Sequence, residues 1–310
     1  MSSVDVAAAL PSHRPGWRWR VIQFPLTRIF IGAIPLGAVM AMTELAIVSL
    51  GLGPGGMASS LIVVTGGLVS IAIYVGYVRW IEHRRVAELG GEGSLARELG
   101  GGFGLGLGLF LVTAGLLVGI GVGRIERGDG LAALVPWLLW VTGTAIGEEL
   151  LFRGVMFRIV EERLGSWGAL TISALLFGGL HAGNANASVA TSLAIALEAG
   201  VLLAAAYVAS RRLWLAIAMH AGWNLAQLGV LGVQRPGHST HGMWASRFTG
   251  PPLLTGGDWG PELSIIAVAV CLVAACALLV HAKRRERLVP FGGARRRGVS
   301  GRASGASEPG

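Results

Sequence analysis

The sequence predicts an all-α fold: a polytopic membrane helical bundle of about eight transmembrane helices, with both termini cytoplasmic. Three observations carry this. Hydrophobic residues make up 53% of the 310 and charged ones only 14%, too apolar a balance for a soluble chain of this size. Apolar runs near the roughly 20 residues that a bilayer core requires recur along the chain. Basic residues fall almost wholly in alternate connections, the asymmetry that sets membrane orientation.

Residues 1–28 read as a polar, Arg-containing cytoplasmic N-terminus without a cleavable signal, its first 17 residues disordered. Eight runs follow, at 29–50, 59–80, 101–122, 131–153, 167–182, 189–210, 213–232 and 263–282. They form one membrane domain, 29–282, whose intramembrane polar groups concentrate in a core at about 131–232. The fifth run is short, so it is expected to be buried in the bundle or flanked by turns. A basic tail, 283–310, is expected to be cytoplasmic and disordered. With the N-terminus inside, the cytoplasmic segments hold about 21 of the 25 Lys and Arg, and the outer loops only Arg124, Arg127, Arg235 and Arg247. Arginine outnumbers lysine 24 to 1, which fits a GC-rich bacterial genome and hence a bacterial plasma membrane.

The net charge of +8 therefore has a membrane explanation, and no soluble basic domain exists that would bind nucleic acid. The run GGGFGLGLG at 100–108 lacks a P-loop Lys and a preceding strand, so its glycines are read as close helix packing. Cys271 and Cys276 lie five apart in the last span and form no disulfide framework. His238 and His241, in the long outer connection 233–262, have a spacing that would suit a metal but read as exposed polar residues.

The chemistry begins at Glu148-Glu149-Leu150-Leu151-Phe152-Arg153, which closes an otherwise uncharged run, 131–147. A carboxylate at bilayer depth costs about 2.5–3.5 kcal/mol on insertion scales, so two together need a reason. Glu149 and Arg153 stand four apart and can pair on one helix face as a structural ion pair, which leaves Glu148 without a local partner. Two further i,i+4 pairs, Phe177 with His181 and His220 with Asn224, give their helices polar edges. Counting about 1.5 Å per residue outward from Gly165-Ser166 sets Glu148 and His181 at the same height, within about 3 Å. This requires helix four to continue past Arg153, carrying Arg158, Glu161, Glu162 and Arg163 toward the cytosol. The groups are then expected to share a cavity toward the cytoplasmic half of the membrane, entered from the membrane plane or the cytosol. Glu44 and Glu198 stand alone and read as structural or cavity-lining groups.

Glu-Glu-x-x-x-Arg, then Phe-x-x-x-His, then His-x-x-x-Asn, in this order on neighbouring membrane helices, resembles the CPBP family. These are the CAAX proteases and bacteriocin-processing enzymes, also called Abi, which include the Ras-converting CAAX endopeptidase. The stretch Pro252-Leu253-Leu254-Thr255-Gly256-Gly257 followed by Gly260-Pro261-Glu262 is similar to bacterial members. The resemblance implies an intramembrane endopeptidase with its catalytic core at about 131–232. Glu148 would activate water and His181 help to hold it, while His220 and Asn224 would stabilise the oxyanion. Glu149 and Arg153 would brace the helix, with Phe177 in support. The implied substrate is a peptide or membrane-protein tail, lipidated or not, met at the lipid bilayer. A metal-free mechanism is favoured and no cofactor is expected. Zinc on Glu148, His181 and His220 is the alternative, although no His-Glu-x-x-His is present. Two rival classes are a non-catalytic adaptor or bacteriocin-immunity protein on the same scaffold, and a proton-coupled transporter. The complete set of four polar residues argues against the first, and the absence of paired broken helices in an inverted repeat against the second.

Overall fold

The structure is a computed structural model describing residues 16–90, 95–184, 187–234 and 241–292. The disorder expected of the two ends falls partly outside these residues, as does His238; within them, Trp17 opens a short helix and Lys283 and Arg284 close the last one. The helices are α1 (Trp17–Ile22), α2 (Pro25–Ser49), α3 (Met57–Trp80), α4 (Leu95–Gly119), α5 (Leu134–Glu149), α6 (Arg158–Leu180), α7 (Val189–Ile195), α8 (Val201–Ser210), α9 (Leu213–Asn224), α10 (Pro252–Thr255) and α11 (Ile265–Arg284).

Among the described residues six helical runs are long and apolar enough to cross a membrane: Pro25–Ser49, Met57–Trp80, Leu95–Gly119, Gly130–Gly183, Val189–Ser210 and Ile265–Arg284. Of the eight expected spans, four and five lie in one of these runs and seven is not among them. Spans four and five are one 54-residue run, in which α5 passes through a π-helical stretch, Leu150–Phe157, into α6. The run folds back at Gly165, where φ is +70° and a Cβ would lie 2.7 Å from the Val289 carbonyl. Only glycine takes that turn against a neighbouring backbone without strain. Span seven comprises the twelve residues of α9 and a six-residue π stretch, Leu225–Val230, near the short end of what crosses a bilayer. The fifth arm is not buried all round, since Trp167, Leu175 and Leu180 project from the bundle.

Small residues set how closely the helices approach. A Cβ on Gly106 would lie 1.9 Å from the Met219 carbonyl, and one on Gly222 would lie 2.2 Å from that of Phe103. Gly102 and Gly106 thus dock α4 on α9, which is the packing use expected of the glycine run, while Gly104 and Gly108 face open space. Gly143 meets Val63 in the same way, joining α5 to α3.

The bundle has two unlike ends. One carries the start of α2, the end of α3 and the helix-four extension, tied by ion pairs: Arg28 donates to Glu82 at 2.6 Å and to Glu162 at 2.6 Å, and Arg158 donates to Glu82 at 2.6 Å. Arg84 joins Glu82 to Glu88, whose carboxylate also takes the Tyr74 hydroxyl. The other end carries a two-stranded antiparallel ribbon that an all-helical reading does not contain: β1 (Gly123–Arg127) paired with β2 (Trp244–Phe248). Cys271 is buried and Cys276 exposed, both free.

Candidate active site

A cavity of about 220 Å³ lies among α6, α7, α8 and α9 and brings together Glu148, Phe177, His181, His220 and Asn224. The register counted from Gly165 therefore leads Glu148 and His181 to the same space. Three π-helical stretches surround it. Leu150–Phe157 starts after the carboxylate pair and carries Arg153; Ala196–Gly200 carries Glu198; Leu225–Val230 follows Asn224 and carries Gln227. Such stretches are rare and recur at functional sites, because the extra residue per turn re-aims side chains and loosens carbonyls from the regular ladder. Here the freed Ala199 and Gly200 carbonyls accept from Arg153, at 3.3 and 3.0 Å.

Behind the cavity wall, Arg153 and Glu149 form the expected ion pair at 2.8 Å, both side chains fully buried. The Phe177 ring lies 4.8 Å from the guanidinium and completes its cage. The same Glu149 oxygen lies 3.1 Å from Nδ1 of His220. Only a donor suits a carboxylate, so Nδ1 of His220 carries a proton and Nε2 points the other way, 3.9 Å from Oε2 of Glu148. Nδ1 of His181 lies 2.8 Å from the Phe177 carbonyl, which likewise makes it the donor and leaves Nε2 as an acceptor. Both carboxylates keep an Oε2 that is buried with no hydrogen-bond partner among the described residues, but Glu148 lines the cavity, whereas Glu149 lies behind its wall, held through Oε1.

Further wall residues are Asn184, Glu198, Trp223, Gln227, Trp259 and Glu262. Glu198 is thus cavity-lining, whereas Glu44 is exposed on the outside of α2. Gln227, one helical turn beyond Asn224, was legible as an i,i+3 extension of the His-x-x-x-Asn edge and was missed. Asn184 had no such signal. Trp259 and Glu262 fall in or beside the motif stretch that closes at Glu262, although its spacing does not reveal that it folds over the cavity.

One expectation changes. Asn184, Trp259 and Glu262 come from the ribbon end of the bundle, so the cavity extends toward that end and away from the ion-paired end, where the basic residues gather. Heights along two helices fix which groups meet, but they do not say on which side the space opens. On the ion-paired side Phe157 and Tyr207 are buried, their rings packed 5.4 Å apart. Glu148, His181 and His220 share the cavity, and among the described residues no three His, Cys, Asp or Glu side chains are grouped as a metal ligand set. His241, at the ribbon end, is exposed and bonds Asp129 at 2.8 Å.

No curated protein and no solved structure matches the chain. Residues 130–226 match the family model described as type II CAAX prenyl endopeptidase Rce1-like. The matched segment opens at the turn before α5, ends two residues past Asn224 and contains all four predicted catalytic residues. Over this segment the chain is similar to the type II CAAX prenyl endopeptidases, the family that its motifs resemble.

Proposed function

We propose that the protein is an intramembrane endopeptidase of the CAAX-protease type that cleaves a peptide bond with water activated by Glu148. The observation that carries this is the difference between adjacent carboxylates: Glu149 is held through Oε1 by Arg153 and His220 behind the cavity wall, while Glu148 lines the shared cavity with its Oε2 buried and without a hydrogen-bond partner among the described residues. None of the described residues lining that cavity is Ser, Thr or Cys, which supports attack by water over an acyl-enzyme route.

In this reading Glu148 takes a proton from water while Nε2 of His181 accepts the water's other hydrogen and holds it in place. The hydroxide oxygen adds to the scissile carbonyl carbon. The oxyanion that forms receives hydrogen bonds from the Asn224 amide and, when both its ring nitrogens are protonated, from Nε2 of His220. Glu148 then passes its proton to the departing amine as the C–N bond breaks. Arg153, through Glu149, fixes the imidazole of His220. No metal is required, and the substrate is a peptide or membrane-protein tail, with or without a lipid.

The test is cleavage of a peptide library by the purified full chain in detergent, wild type beside Glu148→Gln, both with chelator. Wild type should cut and Glu148→Gln should lose at least about 10²-fold in rate, the usual range for removing a general base. Full activity in Glu148→Gln would end this mechanism, and loss of wild-type activity to chelator would end the metal-free form of it.

A further inference from the structure

We infer that the site serves the extracytoplasmic face of the membrane, and that its substrate is a peptide segment or tail presented on that side. The inference rests on the peptidase reading for the word substrate, but its geometry stands on two separate observations. The first is charge. Fifteen described Lys and Arg residues lie at the ion-paired end, in 16–28, 79–97, 158–163, 211–212 and 283–287, against Arg124, Arg127 and Arg247 at the ribbon end. That the five segments share one end follows from contacts: Arg28 with Glu82 and Glu162, and Arg211 with Glu161 and the Arg287 carbonyl. An excess this large on short connections holds that end in the cytoplasm.

The second observation is the direction of the cavity. Its walls continue past Glu148 and His220 to Asn184, which is exposed where α6 ends, and to Trp259 and Glu262 in the connection before α11. All three belong to the ribbon end. Toward the basic end lies a buried layer in which the rings of Phe157 and Tyr207 pack 5.4 Å apart, with the Glu82 ion pairs beyond it. A chain segment arriving from the cytoplasm would have to part that layer, whereas one arriving from the other face meets the mouth at Asn184. At about 220 Å³ the space lies below the roughly 300–1,000 Å³ of pockets that enclose drug-sized ligands, which suits a residue or two of extended chain. The class of substrate is therefore an exported peptide or the outward-facing tail of a membrane protein, and not a cytoplasmic protein's C-terminus.

The test separates orientation from catalysis. In a background of Cys271→Ala and Cys276→Ala, the full chain carries one new cysteine, Asn184→Cys, Leu253→Cys or Arg85→Cys, and spheroplasts are treated with a membrane-impermeant maleimide. Asn184→Cys and Leu253→Cys should label in intact spheroplasts, and Arg85→Cys only after permeabilisation; the reverse pattern overturns the inference. In parallel, an impermeant quenched peptide of the sequence cut in detergent is added outside spheroplasts holding wild type or Glu148→Gln. Cleavage by wild type alone before permeabilisation supports the inference, and cleavage only after permeabilisation overturns it. If Asn184→Cys labels from outside but no peptide is cut even in detergent, the peptidase reading fails, and the substrate claim with it, while the orientation holds.

Discussion

Two polar clusters sit in this apolar molecule, and they are built on opposite plans. At the basic end every carboxylate oxygen of Glu82 and Glu88 is used: Glu82 accepts from Arg28, Arg84, Arg158 and Tyr77, and Glu88 from Arg84 and Tyr74. In the cavity cluster Oε2 of Glu148, Oε2 of Glu149 and Nε of Arg153 are buried and unpaired among the described residues. A network with every valence filled rigidifies the fold; one that leaves valences open at a cavity is arranged for something other than its neighbours. The electrostatics of the first agree with a holding role. Burial pushes the Glu82 carboxyl up, yet Arg158 and Arg28 beside it more than offset this and hold it at about 2. The Arg84 guanidinium likewise keeps Glu88 below the usual carboxylate range against its burial.

The comparison is broken most forcefully at Glu149, which belongs to the cavity cluster yet is paired like a structural residue. Glu149→Ala strands a fully buried guanidinium, and removing one partner of such a pair costs about 3–5 kcal/mol. Expression and melting temperature should fall together with rate. The double variant Glu149→Leu with Arg153→Met removes both charges and should recover much of the melting temperature, but not the rate, because His220 then has no carboxylate to orient it. Recovery of both would reduce the pair to packing. Asn224→Ala should behave in the opposite way, losing about 10²–10³-fold in kcat as one oxyanion donor is removed, with little change in melting temperature. A loss of stability with kcat per folded molecule unchanged would move Asn224 to the structural side.

At the basic end the expected effects are smaller and fall on stability alone. Glu82→Gln should cost about 1–3 kcal/mol of stability, the range for leaving buried donors without their acceptor, and leave kcat unaltered. Acid sharpens this. A carboxyl whose folded value lies below its ordinary 4.5 stabilises fully above that value, and the contribution is lost as pH falls toward about 2. Thermal melts between pH 5 and 2.5 should therefore decline more steeply in wild type than in Glu82→Gln. Parallel curves would show that Glu82 does not carry the ionic link.

How much of this was legible in the sequence depends on what kind of interaction places each residue. Glu149 with Arg153, and the shared height of Glu148 and His181, follow from helix periodicity and a glycine turn, so one-dimensional spacing reaches them. The pairing of Arg28 with Glu82 and Glu162 spans 54 and 134 residues, and nothing local announces it. The π stretches are equally silent, because an apolar run reads alike at 3.6 or at more residues per turn, yet they aim Arg153, Glu198 and Gln227. The ribbon hides for another reason: Arg124 and Arg247 are partners across more than 120 residues in segments too polar and short to look like strands. The proposed orientation rests on arginines that the sequence displays, while the side on which the cavity opens needed the wall residues.

The finest distinction concerns Phe177, which touches both kinds of group. Its ring lies over Arg153 and 5.0 Å from the ring of His181, while its carbonyl accepts from His181 whatever the side chain. Phe177→Leu keeps the carbonyl and most of the packing but removes the aromatic face, a contact worth about 0.5–2 kcal/mol to a cation. A positioning role predicts a drop in kcat of a few-fold with KM unchanged, and rescue by Phe177→Tyr, which keeps the face. Pure packing predicts a lower melting temperature with kcat per folded molecule intact. The ring would then belong with the filled network at the basic end and not with the open one around Glu148, and the boundary between the two plans would run between Phe177 and His181, one helical turn apart.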